Sequence, residues 1–180
     1  MSLVSLKIDN INVQVEQGTT ILQAARQAGI VIPTLCAWTE INHTPGACRV
    51  CMVEVDGQRS LIAACVFPVG EGMVVRTNSE RVRTARKMVV ELLLSNHPVE
   101  CNYCNRNGNC ELQKVAEMVG LKDVRFDQPV FNKEEWIDRS SPSIVRDMRK
   151  CINCHRCSTV CESIQTVNVL TPAVRGKEVR

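Results

Sequence analysis

The chain has 180 residues, 44% hydrophobic and 23% charged, with a formal net charge of +3, enough for one moderate domain or two to three small ones. Aromatic residues make up only 3%, poor material for a large core or for base-stacking platforms, and the longest apolar run, Leu61 to Phe67, falls far short of the ~18 residues of a membrane-spanning helix. Met1 to Asn10 alternates polar and apolar residues and lacks the basic segment and apolar stretch of a secretion signal. A cytoplasmic location is therefore expected, where thiols stay reduced and disulfide frameworks are rare.

Leu6 and Ile8, then Ile11, Val13 and Val15, alternate on either side of Asp9-Asn10, which predicts a hairpin with a tight turn. A helix is expected over Ile21 to Ala28, with Thr20 and Gln23 as a capping box and Gly29 as its stop. Cys51 to Val55 and Gln58 to Cys65 flank Asp56-Gly57 as a second hairpin, and Met73 to Arg76 can add a further strand. From Ser79 the period changes. Val82, Ala85, Met88, Val89, Leu92 and Leu93 form an apolar stripe at helical spacing that runs to Asn96, where Pro98 ends it. Arg81, Arg83, Arg86 and Lys87 are read as a solvated basic face of this helix. A second helix is expected over Glu111 to Val119, stopped by Gly120, and 121–140 reads as a linker or surface wrap.

The eleven cysteines fall into three sets. The first is Cys36-x11-Cys48-x2-Cys51-x13-Cys65, three thiols on one loop and the fourth at the end of a later strand. Gly46 and Ala47 are small enough for backbone N–H groups to close on a binuclear cluster. The second is His97-x3-Cys101-x2-Cys104-x5-Cys110. A lone histidine at a helix end is more often a cap than a ligand, but three thiolates leave one corner of a four-iron cube to fill. The third is Cys151-x2-Cys154-x2-Cys157-x3-Cys161, the rhythm of half a two-cluster ferredoxin. His43 and His155 lack such neighbours and read as ordinary polar residues. Structural zinc is the alternative at the first two sets, although the first has only one short knuckle where zinc sites usually pair two. With clusters at all three sets the total charge moves from +3 to roughly −2, so the formal basicity is no argument for nucleic acid.

These motifs resemble the amino-terminal iron-sulfur segment shared by multisubunit, NAD(P)-linked and electron-bifurcating iron-only hydrogenases and the large iron-sulfur subunit of respiratory complex I. The long first interval matches their [2Fe-2S] domain, and His97, Cys101, Cys104 and Cys110 match their His(Cys)3-ligated [4Fe-4S] motif one for one. The resemblance implies an α+β chain: a β-grasp [2Fe-2S] ferredoxin domain over 1–79, a small helical [4Fe-4S] domain over 80–120, a linker over 121–140, and a partial bacterial-ferredoxin-like domain with a further [4Fe-4S] cluster over 141–180. The relatives place a second x2, x2, x3 run downstream, and Glu162 stands where the ferredoxin motif has proline. The fourth ligand of the third set is therefore Cys161 itself, a partner's thiol or a non-protein ligand, or the set stays empty. By the same resemblance the chain carries single electrons between a flavin- and NAD(P)H-binding subunit and ferredoxin or a catalytic subunit, in a hetero-oligomer without nucleic acid or a transmembrane segment, and has no catalytic site of its own. The competing reading is a zinc-stapled interaction module without redox activity.

Overall fold

Asp9 and Asn10 both adopt positive φ, 45° and 72°, a turn whose twist suits two antiparallel strands and a conformation that Asp and Asn tolerate. They join β1 (Leu3–Ile8) to β2 (Ile11–Glu16), with Leu3 opposite Glu16 and Ile8 opposite Ile11. The period of two sends Val4, Leu6 and Ile8 to the buried face and leaves Leu3 and Ser5 exposed. The computed structural model describes residues 2–127 and 136–173. Residues 128–135 of the expected linker and 174–180 of the expected third domain lie outside the described residues.

Helix α1 (Ile21–Gln27) starts where the capping box predicts: Thr20 Oγ1 accepts from the Gln23 N–H at 3.3 Å, and Gln23 Oε1 accepts from the Thr20 N–H at 3.0 Å. Gly29, at φ 73°, follows the C-cap. Strands β3 (Met52–Val55), β4 (Ile62–Ala63) and β5 (Val74–Arg76) complete a five-stranded mixed sheet of order β2-β1-β5-β3-β4, with β1 and β5 parallel. The second hairpin is thus real but shorter than expected. Only Met52–Val53 pair with Ile62–Ala63, because beyond Val53 the chain turns to β5 instead: Val55 pairs with Val75 and the Asp56 N–H donates to the Val74 carbonyl at 3.0 Å, while Arg76 holds the Asp56 carboxylate and Arg81 the Arg59 carbonyl. Ile8, Ile21, Leu22, Val53 and Val75 lie within 1% of complete burial and form the core with Ala24 and Ala25. Each large aliphatic side chain so buried contributes about 1.5–3 kcal/mol.

The chain divides into two compact units, Met1–Val89 and Val90–Arg180, and α2 (Glu80–Ser95) runs through the division. Its buried stripe differs from the expected one. Val82, Arg86, Val90 and Glu91 are buried, whereas Met88 is 39% and Leu92 49% exposed. Arg86 therefore leaves the solvated basic face: Val82, Arg86 and Val90 share a face at steps of four, and the guanidinium reaches the Met52 carbonyl at 2.7 Å.

In the second unit, α3 (Glu111–Met118) ends at Gly120, φ 62°. Two-residue strands β6 (Ile137–Asp138) and β7 (Arg146–Asp147) pair antiparallel, an element too short to show a period. Helix α4 (Arg156–Thr159) continues into a wider turn over Val160–Ile164. Segment 121–127 has no regular structure, yet it is anchored: the Glu91 carboxylate accepts from the Arg125 N–H and Nε at 2.8 Å and from Nη2 at 2.7 Å.

Candidate metal centres

All four cysteines of the first set are buried, from 0% exposure at Cys65 to 5% at Cys48. Cys36 and Cys48 lie on the loop between α1 and β3, Cys51 immediately precedes β3, and Cys65 follows β4. The sheet sets that geometry. Ala64 N–H donates to the Cys51 carbonyl at 3.1 Å and Leu22 N–H to the Ala64 carbonyl at 2.9 Å, so α1 and two strands fix Cys51 and Cys65 together.

The thiols are within hydrogen-bonding reach of one another. Cys48 and Cys65 donate to Cys36, joined by the N–H groups of Cys48 and Ala47, and hold the Cys36 thiol far below its ordinary range despite burial. The counterpart appears on Cys48 and Cys65, both pushed up first by the contact with Cys36, Cys48 then by burial and Cys65 then by the Cys51 thiol and burial. Cys51 is drawn down to about 7, chiefly by the Cys65 thiol. Backbone N–H groups of Val50 and Leu35 point at Cys48. Four soft sulfur donors that favour an anion among them, ringed by backbone N–H groups, fit a thiolate-bound iron-sulfur core. Gly46 sits at φ 63°, and a Cβ there meets only the Val66 methyls, at 3.4 Å and 3.7 Å. What glycine supplies here is the backbone conformation rather than room. The contacts among the thiols are pairwise: among the described residues no three His, Cys, Asp or Glu side chains converge on a single-ion site.

His97, Cys101, Cys104 and Cys110 line one cavity of about 400 Å³ together with Leu94, Leu121, Val124 and Lys150. The helix end, the Cys101–Tyr103 turn and the start of α3 each bring a donor to it. Cys104 N–H closes the turn on the Cys101 carbonyl at 3.1 Å, and Arg106 N–H points at Cys104 Sγ at 3.5 Å. Gln113 braces the loop by accepting from the Gly108 N–H at 3.2 Å and donating to Asn107 Oδ1 at 3.0 Å. Burial, and then Lys150, lower the His97 pKa against the opposing charge of Asp147, favouring the neutral imidazole that binds metal. Three thiols and one imidazole around one cavity fit a four-iron cube.

In the third set, burial raises the Cys154 thiol, the Arg156 N–H and guanidinium oppose it, and Cys157 and Cys151 reinforce it. Asn153 and His155 take positive φ, 52° and 58°, one in each x2 interval of the run. Cys161 is 8% exposed, and its Sγ accepts from the Val169 N–H at 3.3 Å. Arg156 Nη1 grips the Glu111 carboxylate at 2.8 and 3.0 Å, tying this loop to the helix that follows Cys110.

His43 is 5% exposed, with its backbone paired to Trp38, so it belongs to the interior rather than to a polar surface. The burial of Arg86, the place of Lys150 at the second cavity and the Arg156–Glu111 pair are not marked by the cysteine spacing. Of these only Arg86 left a signal, its register with Val82 and Val90.

Residues 2–80 match a family described as a 2Fe-2S iron-sulfur cluster binding domain, and residues 86–125 match the NADH-ubiquinone oxidoreductase-G iron-sulfur binding region. The chain is 45% identical over 180 residues to the HndD subunit of NADP-reducing hydrogenase from Solidesulfovibrio fructosivorans, covering 98% of this chain and 30% of the relative. It is 36% identical over 177 residues to the mitochondrial 78 kDa subunit of NADH-ubiquinone oxidoreductase from Candida albicans, covering 98% of this chain and 24% of that protein. The crystal structure of NAD+-reducing [NiFe]-hydrogenase in the H2-reduced state contains a chain that superposes with a TM-score of 0.87 at 30% identity, over 98% of this chain and 73% of that one. The chain thus spans less than a third of the length of these two sequence relatives. Among the described residues no helix is long and apolar enough to cross a membrane.

Proposed function

The chain belongs to the iron-sulfur family shared by NAD(P)-linked hydrogenases and the large iron-sulfur subunit of complex I, with a [2Fe-2S] domain and a [4Fe-4S] region, and from that membership we propose that it relays single electrons between a flavin- and NAD(P)H-binding subunit and ferredoxin or a catalytic subunit. The observation that carries the reading is the meeting of His97, Cys101, Cys104 and Cys110 around one cavity, together with a first set of four buried, mutually contacting thiols. Cys36, Cys48, Cys51 and Cys65 would hold the [2Fe-2S] core and the His97 set a [4Fe-4S] core. Cys151, Cys154 and Cys157 would hold a further cube, completed by Cys161 or a ligand from outside. The two matched families are described as iron-sulfur binding, which favours iron over the zinc-stapled alternative.

Bound clusters supply one-electron chemistry with little change of geometry. The chain's own residues do the rest. The β1–β5 core excludes water from the first set, and the N–H groups of Ala47, Cys48, Val50 and Leu35 stabilise negative charge on its sulfurs. The neutral His97 removes one negative charge from the second set. The Arg156–Glu111 pair keeps the third loop beside the helix that opens at Cys110. No residue is required to move a proton. We assign 1–79, 80–120 and 141–180 to the three cluster-bearing segments, with 121–140 between the last two.

The test is iron and acid-labile sulfide per chain on anaerobically purified protein, with electron paramagnetic resonance after dithionite reduction. About ten irons would mean that all three sets are filled, and about six would leave the third set empty. Zinc without iron would overturn the relay reading.

A further inference from the structure

Arg86 is 7% exposed, and among the described residues it donates one hydrogen bond, from Nη2 to the Met52 carbonyl at 2.7 Å. Its Nε is buried with no hydrogen-bond partner. A single bond to a neutral carbonyl offsets only a small part of the cost of taking a guanidinium out of water. The imbalance requires a nearby negative charge. Met52 follows Cys51 directly, and Cys51 is 1% exposed. Burial lowers the affinity of Arg86 for its proton, and two charges oppose that in part, Cys51 first and Asp9 second. Asp9 is fixed in its turn, its carboxylate accepting from the Thr77 N–H at 2.7 Å and from the Thr77 hydroxyl.

We propose that Arg86 is a positioning residue for the first cluster site: its buried guanidinium, anchored on the carbonyl next to Cys51, offsets the charge of the four thiolates and raises the reduction potential there. The inference rests on the assignment of Cys51 as a cluster ligand. A [2Fe-2S] core on four thiolates goes from about −2 to about −3 on reduction, so a fixed buried cation favours the reduced form more than the oxidised one. Burial also keeps that cation from being screened by salt. Asp9 acts in the opposite sense, as a fixed anion that offsets part of the same guanidinium's charge.

The test is a redox titration of the [2Fe-2S] paramagnetic signal in the anaerobically purified full chain. Arg86→Gln keeps a donor for the Met52 carbonyl and removes the charge. Its expected effect is a shift to more negative potential by at least a tenfold loss in the reduction equilibrium, about 59 mV for one electron. Arg86→Lys should titrate close to the wild type. Asp9→Asn, compatible with the positive φ of that turn, should shift the signal to more positive potential. The [4Fe-4S] signal should stay in place in all three. Equal shifts in Arg86→Gln and Arg86→Lys would reduce Arg86 to a cap for β3 and overturn the inference. If Arg86→Gln assembles no cluster, Arg86→Lys decides, and a [2Fe-2S] signal displaced from the wild-type potential by a tenfold change in the reduction equilibrium overturns the inference. A wild-type chain without any [2Fe-2S] signal would instead overturn the ligand assignment, and this inference with it.

Discussion

Glu91 is 1% exposed, and its carboxylate is the anchor of an otherwise irregular segment. Replacing it with Gln keeps the shape and the oxygen that receives both the Arg125 N–H and Nε. The amide nitrogen then replaces the oxygen that faced Arg125 Nη2 at 2.7 Å, setting donor against donor. A charge-assisted hydrogen bond nets about 1.5–3 kcal/mol. The Arg125 side chain is 66% exposed, so water screens the charge from that side, and the expected loss at Glu91 is about 2 kcal/mol, the lower half of the range. That amounts to about a 30-fold rise in local opening, readable as faster amide hydrogen exchange at Val124, Arg125 and Phe126 with the β1–β2 hairpin unchanged. Leu121, Lys122, Asp123 and Val124 line the cavity that holds His97 and three cysteines, so the [4Fe-4S] signal should also decay faster than in the wild type. Unchanged exchange at Arg125, or an equal rise throughout the chain, would refute the reasoning, because either would show that the carboxylate is not what holds the segment.

Cys65→Ser should remove the [2Fe-2S] signal and about two irons while leaving the [4Fe-4S] signal in place; loss of every signal would show that the first unit's fold depends on that thiol rather than its cluster alone. His97→Cys should retain about four irons at the second site and shift its potential negative, since a thiolate adds a charge that imidazole lacks; an unchanged titration would count against His97 as a ligand. Thr20→Ala removes half of the capping box and should cost about 1 kcal/mol, a fall in the melting temperature of about 4–8 °C for a unit of this size, measured by calorimetry. Under controlled air exposure iron should leave the third set first and the [2Fe-2S] site last, because Cys157 is exposed, Cys101, Cys104 and Cys110 are half-buried, and the first set lies inside the core; early loss of the [2Fe-2S] signal would contradict that order.

The parts of the molecule governed by local rules were readable from the chain. The Asp9-Asn10 turn, the Thr20–Gln23 box and the glycines at 29 and 120 each solve a backbone problem that the residue type announces, and all four occur where the pattern placed them. Cysteine and histidine spacing likewise picked out the donors that line the second cavity. What escaped depends on contacts distant in sequence. Strand β4 is only two residues long because 54–56 pair with β5 and the Arg59 carbonyl is taken by Arg81, contacts distant in sequence. The pair β6–β7 is too short to carry a period, and Lys150 reaches the second cavity from the loop of the third set, a meeting that spacing within either motif cannot register.

Helix α2 departs from its apolar stripe for a physical reason. A stripe of apolar residues is expected to face the interior, yet this helix buries one cation and one anion five positions apart, Arg86 and Glu91, while Met88 and Leu92 face outward. Buried charges are poor sources of stability: well-packed apolar replacements of buried ion pairs are often neutral or better. Their worth here is positional. Each ties the helix to a fixed point, Arg86 to the carbonyl beside Cys51 and Glu91 to the segment that walls the His97 cavity. An apolar contact permits sliding, whereas a carboxylate met by three donors accepts essentially one arrangement. Loops that must hold cysteines steady gain more from that restriction than from additional apolar area, and the cost in desolvation is tolerable because one charge answers to thiolates and the other to a solvated arginine.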